Sequence, residues 1–229
     1  MSLFKELQFF VKEAKVDKVK INKKIFKNAI KQFVLYDITI IIIGSILIGI
    51  TLIFSDSFKE VFLSKNNFSE IPFLKSVFYF CLIAPIIEEL TFRLGLKISK
   101  LNISIFLGFN IIAILKISGI IEQTFIIRLL LILCISIICF LFLKDKYLSF
   151  FKINYPLFLY FNILFFGFVH IGNYSYSSYS QYLFVPVLVF TQIFLGIYLS
   201  YSRLRFGFFF ALFIHIFHNL FYIILGYVF

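Results

Sequence analysis

The chain has 229 residues, of which 62% are hydrophobic, and its mean hydropathy is +1.02. Soluble domains are usually about half apolar, so this composition excludes an ordinary soluble domain and predicts a polytopic membrane protein. The formal net charge of +11 does not indicate nucleic-acid binding, because many of the lysines lie in one amphipathic segment near the N-terminus.

That first segment, residues 1–31, is basic and amphipathic. Its lysines alternate with apolar side chains such as Leu3 and Leu7, a pattern typical of a helix on the anionic cytoplasmic face of a membrane. We expect no cleavable signal peptide, because the first long apolar run begins near Phe33. The sequence therefore predicts a surface segment over residues 1–31 and an integral membrane domain over residues 32–229.

Apolar runs of the length that a transmembrane helix requires follow this segment. They cover residues 33–54, 72–98, 101–117, 121–143, 156–171, 182–201 and 206–227. Basic residues fall in alternate loops, namely Lys97, Lys100, Lys144, Lys146, Lys152, Arg203 and Arg205. By the positive-inside rule the N-terminus is cytoplasmic and the C-terminus external. We therefore expect an all-α transmembrane helical bundle of about seven spans in the plasma membrane.

The second apolar run contains charged side chains that a membrane span normally excludes. Glu88, Glu89 and Arg93 lie in it, shortly after Pro85, and such residues require partners because a mid-membrane charge costs several kcal/mol. Glu89 and Arg93 are four residues apart on one helical face and are expected to pair. Glu88 lies about 100° further round the helix and is left to face another group. Pro85 removes a backbone donor, so a carbonyl in the preceding turn should be exposed.

The three histidines of the chain lie in later spans, at His170, His215 and His218. His215 and Asn219 are four residues apart and share a helical face. At a rise of 1.5 Å per residue, Glu88, His170 and His215 lie at similar depths, about 14–20 Å from the cytoplasmic ends of their spans. We expect these helices to bring their ionisable groups to one site. Hydrogen bonding between helices is the alternative for any one of them, and His218 is assigned to packing or secondary support.

Several other charged residues lie near the ends of the predicted spans. Their side chains are expected to extend to the membrane interface or to pair there. They are Asp37, Lys116, Glu122 and Arg128.

Three motifs, taken together, resemble the signature of the CAAX protease and bacteriocin-processing family, also called the ABI or type II CAAX endopeptidase family. They are Glu88-Glu89-x-x-x-Arg93, Phe166-x-x-x-His170 and His215-x-x-x-Asn219. They occur in the family's order and extend over residues 88–219, more than half of the chain. The resemblance implies a helical-bundle intramembrane endopeptidase that uses a glutamate, with no metal and no cofactor.

The resemblance also implies a role for each matched residue. By this resemblance the catalytic residues are Glu88, His170, His215 and Asn219, and the residues that support the site structurally are Glu89 and Arg93. The first two would position and deprotonate a water, and the second two would donate to the oxyanion. Peptide hydrolysis requires both functions, and a carboxylate in a low-dielectric cavity is a better base than one in water.

Other chemistries and roles remain open from the residues alone. A serine or cysteine nucleophile fits less well, because no G-x-S-x-G occurs and Cys81, Cys134 and Cys139 have the pattern of small apolar residues. Glutamate and histidine also bind zinc, although no H-E-x-x-H occurs and the resemblance argues against a metal. The expected partners are the lipid bilayer and a membrane-embedded or lipid-anchored peptide or protein substrate. The alternative function is a non-catalytic membrane binder or scaffold, such as a bacteriocin-type immunity protein.

Overall fold

The computed structural model describes residues 3–64, 71–122 and 124–228, with side chains to residue 224. Regular structure in this part is helical, without a strand, which confirms the all-α class. The α-helices are α1 (Leu3–Glu13), α2 (Lys23–Phe54), α3 (Asp56–Leu63), α4 (Phe73–Ser76), α5 (Ala84–Phe92), α6 (Lys100–Ile117), α7 (Phe125–Phe142), α8 (Asp145–Ile153), α9 (Tyr155–Val169), α10 (Val185–Leu188), α11 (Phe190–Arg205) and α12 (Phe208–Val228). A π-helical segment (Val77–Ile83) joins α4 to α5, and 3₁₀ turns cover Leu94–Leu96, His170–Asn173 and Tyr179–Phe184.

Four helical units in the described residues are long and apolar enough to cross a membrane. They are α2, α6, α7 and α9 with its 3₁₀ extension, and a fifth is formed if the bent pair Tyr179–Leu188 and Phe190–Arg205 counts as one span. These helices support a multi-pass membrane protein. The predicted count of about seven spans is not confirmed, because the second predicted span is interrupted by the π-helical segment and the apolar helix Phe208–Ile224 is shorter.

The interruption in the second predicted span follows from Pro85. In the π-helical segment the Tyr79 carbonyl accepts from the N–H of Ala84, five residues on. The next carbonyl in that pattern is that of Phe80, and its donor would be residue 85, where proline has no N–H. The side-chain amide of Asn219 donates to the Phe80 carbonyl at 2.7 Å. The carbonyl that Pro85 was predicted to expose is therefore bound by a side chain of α12.

The main hydrophobic core lies where α2, α9, α11 and α12 meet beside α5. Its fully buried side chains include Phe33, Leu159, Phe166, Tyr198, Leu199 and Ile214. Aromatic rings fill much of this space, for example Phe33 and Tyr198 with ring centroids 5.0 Å apart. Helices α6 and α7 form a hairpin beside the core. Of the residues in α7 only Ser136 is buried, so most of its surface is apolar and exposed.

Helix α1 packs against the protein as well as presenting a charged face. Its apolar residues Leu3, Leu7 and Phe10 belong to the main core. The hydroxyl of Tyr201 in α11 donates to the Glu6 carboxylate, so α1 is bound to the end of α11. From the sequence this apolar face was expected to lie on the membrane, because a composition pattern does not distinguish lipid from a neighbouring helix.

Helix α2 begins ten residues before the apolar run that predicted it. The side chain of Asn22 accepts a hydrogen bond from the N–H of Ile25 at 2.9 Å and caps the helix at Lys23. The expected boundary at residue 31 therefore lies inside one continuous helix.

The loops that carry the basic residues meet at one end of the bundle. The Tyr155 hydroxyl donates to the Leu96 carbonyl at 3.0 Å, and the Val19 N–H donates to the Arg205 carbonyl at 2.9 Å. At the other end, the N–H of Ser175 donates to the serine hydroxyl that follows α3, at 2.9 Å. These contacts fit the charge pattern for the loops that they join, while the full loop arrangement and the side of the membrane that each end faces stay predictions.

Candidate functional site

Arg93, Glu89 and His215 form a chain of polar contacts in the interior of the bundle. Nη1 of Arg93 lies 3.4 Å from Oε1 of Glu89, and the same oxygen lies 2.9 Å from Nδ1 of His215. The side chains of Glu89 and Arg93 are 0% and 1% exposed. The pair predicted from the four-residue spacing is therefore present, and His215 extends it from α5 to α12.

The guanidinium of Arg93 also contacts an aromatic ring, and the backbone carbonyl of the same residue accepts a hydrogen bond from a second arginine. The guanidinium lies over the ring of Phe166, 3.7 Å from the ring centroid, a contact that stabilises a buried cation. Gly196 allows this approach, because a Cβ there would lie 3.0 Å from the Phe166 ring. Nε of Arg203 donates to the Arg93 carbonyl at 3.1 Å. Phe166, which the motif includes without an assigned role, is thus a support for Arg93.

Glu88 faces the other nitrogen of His215. Its Oε2 lies 3.3 Å from Nε2 of His215, and its side chain is 25% exposed. His215 therefore lies between two carboxylates, with Nδ1 toward Glu89 and Nε2 toward Glu88. Together with the cation of Arg93, one proton shared between His215 and Glu88 makes this cluster electrically neutral. Neutrality is the arrangement that a low-dielectric interior favours.

A cavity of about 490 Å³ opens beside this cluster. Its lining includes all four residues predicted to be catalytic: Glu88, His170, His215 and Asn219. The supporting residues Glu89 and Arg93 do not line it. Much of the remaining wall is apolar and comes from α2, α10, α11 and α12. The two adjacent glutamates are thus separated into one that faces the cavity and one that faces the buried arginine.

His170 lies where α9 ends and the 3₁₀ turn begins. Its Nδ1 is 2.8 Å from the carbonyl oxygen of Phe166. Because a carbonyl oxygen only accepts hydrogen bonds, Nδ1 carries a hydrogen here, and in the neutral ring Nε2 is the acceptor. This tautomer suits the predicted role of orienting a water.

Asn219 lines the cavity and also holds the helix that carries Glu88. One N–H of its amide donates to the Phe80 carbonyl, and the amide has a second N–H. The first hydrogen bond gives Asn219 a structural role that its sequence spacing did not indicate, since it depends on the π-helical segment.

A further pair, which the sequence did not predict at the site, lies beside the cavity. Nδ1 of His218 lies 2.9 Å and 3.1 Å from the two carboxylate oxygens of Asp37, and His218 lines the cavity. Asp37, whose side chain was expected to extend to the membrane interface or to pair there, is buried in α2, and its partner is His218. The sequence does contain a signal from which this pair could have been predicted: an isolated acidic residue in an apolar run and a histidine with no assigned partner.

Comparisons with known proteins return no match. No family model, no curated protein and no solved structure matches the chain. In the part of the chain that the structure describes, no group of three His, Cys, Asp or Glu side chains is arranged to hold a metal ion. The site geometry and the three sequence motifs are therefore the observations that bear on function.

Proposed function

We propose that this protein is an intramembrane endopeptidase that hydrolyses a peptide bond near a membrane-embedded or lipid-anchored end of a peptide or protein. One observation carries the proposal. Glu88 faces a partly apolar cavity and contacts His215, and the other ring nitrogen of His215 contacts Glu89, which is paired with Arg93. Contacts that only join helices require no cavity. A base at the wall of a cavity large enough for a short peptide suits hydrolysis.

In this proposal Glu88 is the general base. It takes a proton from a water whose oxygen forms a bond to the carbonyl carbon of the substrate, and Nε2 of His170 accepts a hydrogen bond from the same water. The former carbonyl oxygen then carries a negative charge. The C–N bond breaks once the leaving nitrogen has received a proton. The hydroxyl group ends on the new carboxyl end and the hydrogen on the new amine.

The position of His215 suits stabilisation of the oxyanion. While Glu88 is ionised, Nε2–H of the protonated His215 is paired with it at 3.3 Å. When Glu88 takes the proton from water it becomes neutral, so its attraction for His215 falls and the oxyanion becomes the stronger acceptor. The second N–H of Asn219 is a further donor. The proton that Glu88 gains and the negative charge of the oxyanion cancel, so the summed charge of the cluster and the substrate stays constant through this step, which limits its cost in a low-dielectric site.

We also propose seven membrane crossings, in which α4 with the π-helical segment and α5 forms the second and α12 the seventh. Both units are mainly apolar, and the first carries Lys75 near its start in addition to the site residues. They bring Glu88 and His215 together in the interior of the bundle, which fits the similar membrane depths that the sequence predicts for these two residues.

The substitution Glu88→Gln tests the proposed activity, because glutamine keeps the shape of glutamate and cannot accept the proton. Cleavage should fall by about 10²–10⁴-fold, the usual contribution of a general base. The measurement uses the purified protein in liposomes with a library of fluorogenic lipidated peptides, with and without a chelator. Phe209→Leu, which changes a side chain that is 83% exposed, is the matched control and should cleave at the wild-type rate.

Two results would contradict the proposal. One is cleavage by Glu88→Gln at the wild-type rate. The other is a wild-type protein that binds these peptides and cuts none of them, which would favour the non-catalytic binder. Cleavage that persists in chelator would support a reaction without a dissociable metal.

A further inference from the structure

A second carboxylate-bound histidine faces the cavity, one helical turn after His215. Nδ1 of His218 contacts both carboxylate oxygens of Asp37, at 2.9 Å and 3.1 Å. The side chains of both residues are 12% exposed. The His218 ring is oriented by Tyr222, whose ring centroid lies 4.6 Å away. The cavity is therefore lined by two histidines that are each held by a carboxylate from another helix.

The two histidines differ in which nitrogen remains available. Both nitrogens of His215 lie within 3.3 Å of a glutamate oxygen. A carboxylate of Asp37 only accepts, so Nδ1 of His218 carries a hydrogen, and Nε2 points to the opposite side of the ring. Among the described residues, Nε2 of His218 has no hydrogen bond or ion pair. Nε2 of His218 is therefore available to donate a hydrogen bond to a ligand in the cavity or to accept one from it.

We propose that His218 is the general acid that protonates the leaving nitrogen, and that Asp37 is its positioning residue. This inference rests on the proposed endopeptidase function. An aspartate bound to Nδ1–H orients an imidazole and stabilises the imidazolium form. The Asp37 contact therefore prepares His218 to carry a proton at Nε2 and to deliver it into the cavity.

The proton transfers balance over one cycle. Glu88 takes one proton from water as the oxygen–carbon bond forms, and Nε2–H of protonated His218 passes its proton to the leaving nitrogen as the C–N bond breaks. Glu88 then holds one extra proton and His218 lacks one. Transfer of that proton from Glu88 to His218 through water in the cavity restores both residues.

The leaving group provides the first test. The first substrate is a palmitoylated peptide that the wild type cleaves, and for it His218→Gln should reduce kcat/KM by about 10²–10⁴-fold. The second substrate is the aryl ester of the same acyl sequence. For the ester the reduction should be less than about tenfold, because a phenolate leaves without general acid assistance. Asp37→Asn should show the same preference for the ester, with a smaller loss on the peptide. Phe209→Leu is the control and should match the wild type on both substrates.

The outcomes separate the two proposals. If the wild type cuts no peptide, or if Glu88→Gln still cuts, the endopeptidase function fails. If Glu88→Gln is inactive on both substrates while His218→Gln loses both equally, or loses neither, only the role of His218 fails.

A second test needs no cleavage. Diethyl pyrocarbonate modifies an accessible imidazole nitrogen that carries no proton, so the protein in liposomes is labelled at mildly alkaline pH, and mass spectrometry locates the adduct. We expect His218 to be modified faster than His215, because the glutamates occupy both nitrogens of His215. Equal rates, or faster modification of His215, would overturn the proposal that Nε2 of His218 is available in the cavity.

Discussion

At the scale of single residues, adjacent glutamates have opposite environments. Glu89 is 0% exposed and contacts both Arg93 and His215, whereas Glu88 is 25% exposed and faces the cavity. This difference arises because neighbouring residues on a helix point about 100° apart. One carboxylate is consequently needed for the structure of the site, and the other is available for chemistry.

This division predicts different losses of stability. Glu89→Ala removes the partner of a buried arginine, which typically costs about 3–5 kcal/mol. Glu88→Gln keeps a polar side chain at the cavity wall and should unfold nearly as the wild type does. Denaturant-driven unfolding of both variants in detergent micelles measures the difference. Equal losses for both variants would contradict the division of roles.

Each residue of the Glu89–Arg93 pair could be matched to the other from sequence, because a four-residue spacing on one helix is a local property. The partners of His215 and His218 could not be identified from sequence. His215 contacts a residue 126 positions away, and His218 one 181 positions away. These contacts depend on how whole helices pack, and no spacing rule applies across such distances.

At the scale of helices, the π-helical segment connects Pro85 to the site. The missing N–H of Pro85 is matched by the Asn219 amide, which donates to the Phe80 carbonyl at 2.7 Å. This hydrogen bond ties α12 to the turn that precedes Glu88. Proline and asparagine therefore act together, although the sequence separates them widely.

A double-mutant cycle measures this connection. Asn219→Ala should cost about 1–3 kcal/mol of unfolding free energy in the wild-type background. In the Pro85→Ala background the restored N–H at residue 85 can donate to Phe80, so the cost should fall by at least about 0.5 kcal/mol.

The control for this cycle is Asn162→Ala, since Asn162 donates to the Phe158 carbonyl within its own helix at 2.7 Å. Its cost should be the same in both backgrounds. An Asn219→Ala cost that does not change with Pro85→Ala would show that the two residues are not coupled.

At the scale of the whole molecule, the bundle is arranged so that charged groups have partners inside it and apolar surface faces outward. Helix α7 illustrates the second feature, with only Ser136 buried among its residues. The loops with lysine and arginine meet at one end, and helix α1 packs there as well. This arrangement suits a protein whose solvent is lipid along its sides and water at its ends.

The proposed seven crossings predict which loops are accessible from each side. In a variant whose native cysteines are replaced by serine, the single substitutions Ser118→Cys and Ser178→Cys should react with a membrane-impermeant maleimide on intact cells. Lys146→Cys should react only after the membrane is permeabilised, because its loop is predicted to be cytoplasmic. Labelling of Ser118→Cys and Lys146→Cys from the same side would show that α7 does not cross the membrane.

The sequence by itself determined the helical class, the membrane character and the separation of Glu88 from Glu89, because hydropathy and helical periodicity are local properties of the chain. Only the tertiary structure decided that His215 bridges both glutamates, that Asp37 holds His218 inside the bundle, and that α1 packs on α11. Each of these contacts joins helices far apart in the chain, and the packing of those helices depends on the fit of many side chains at once.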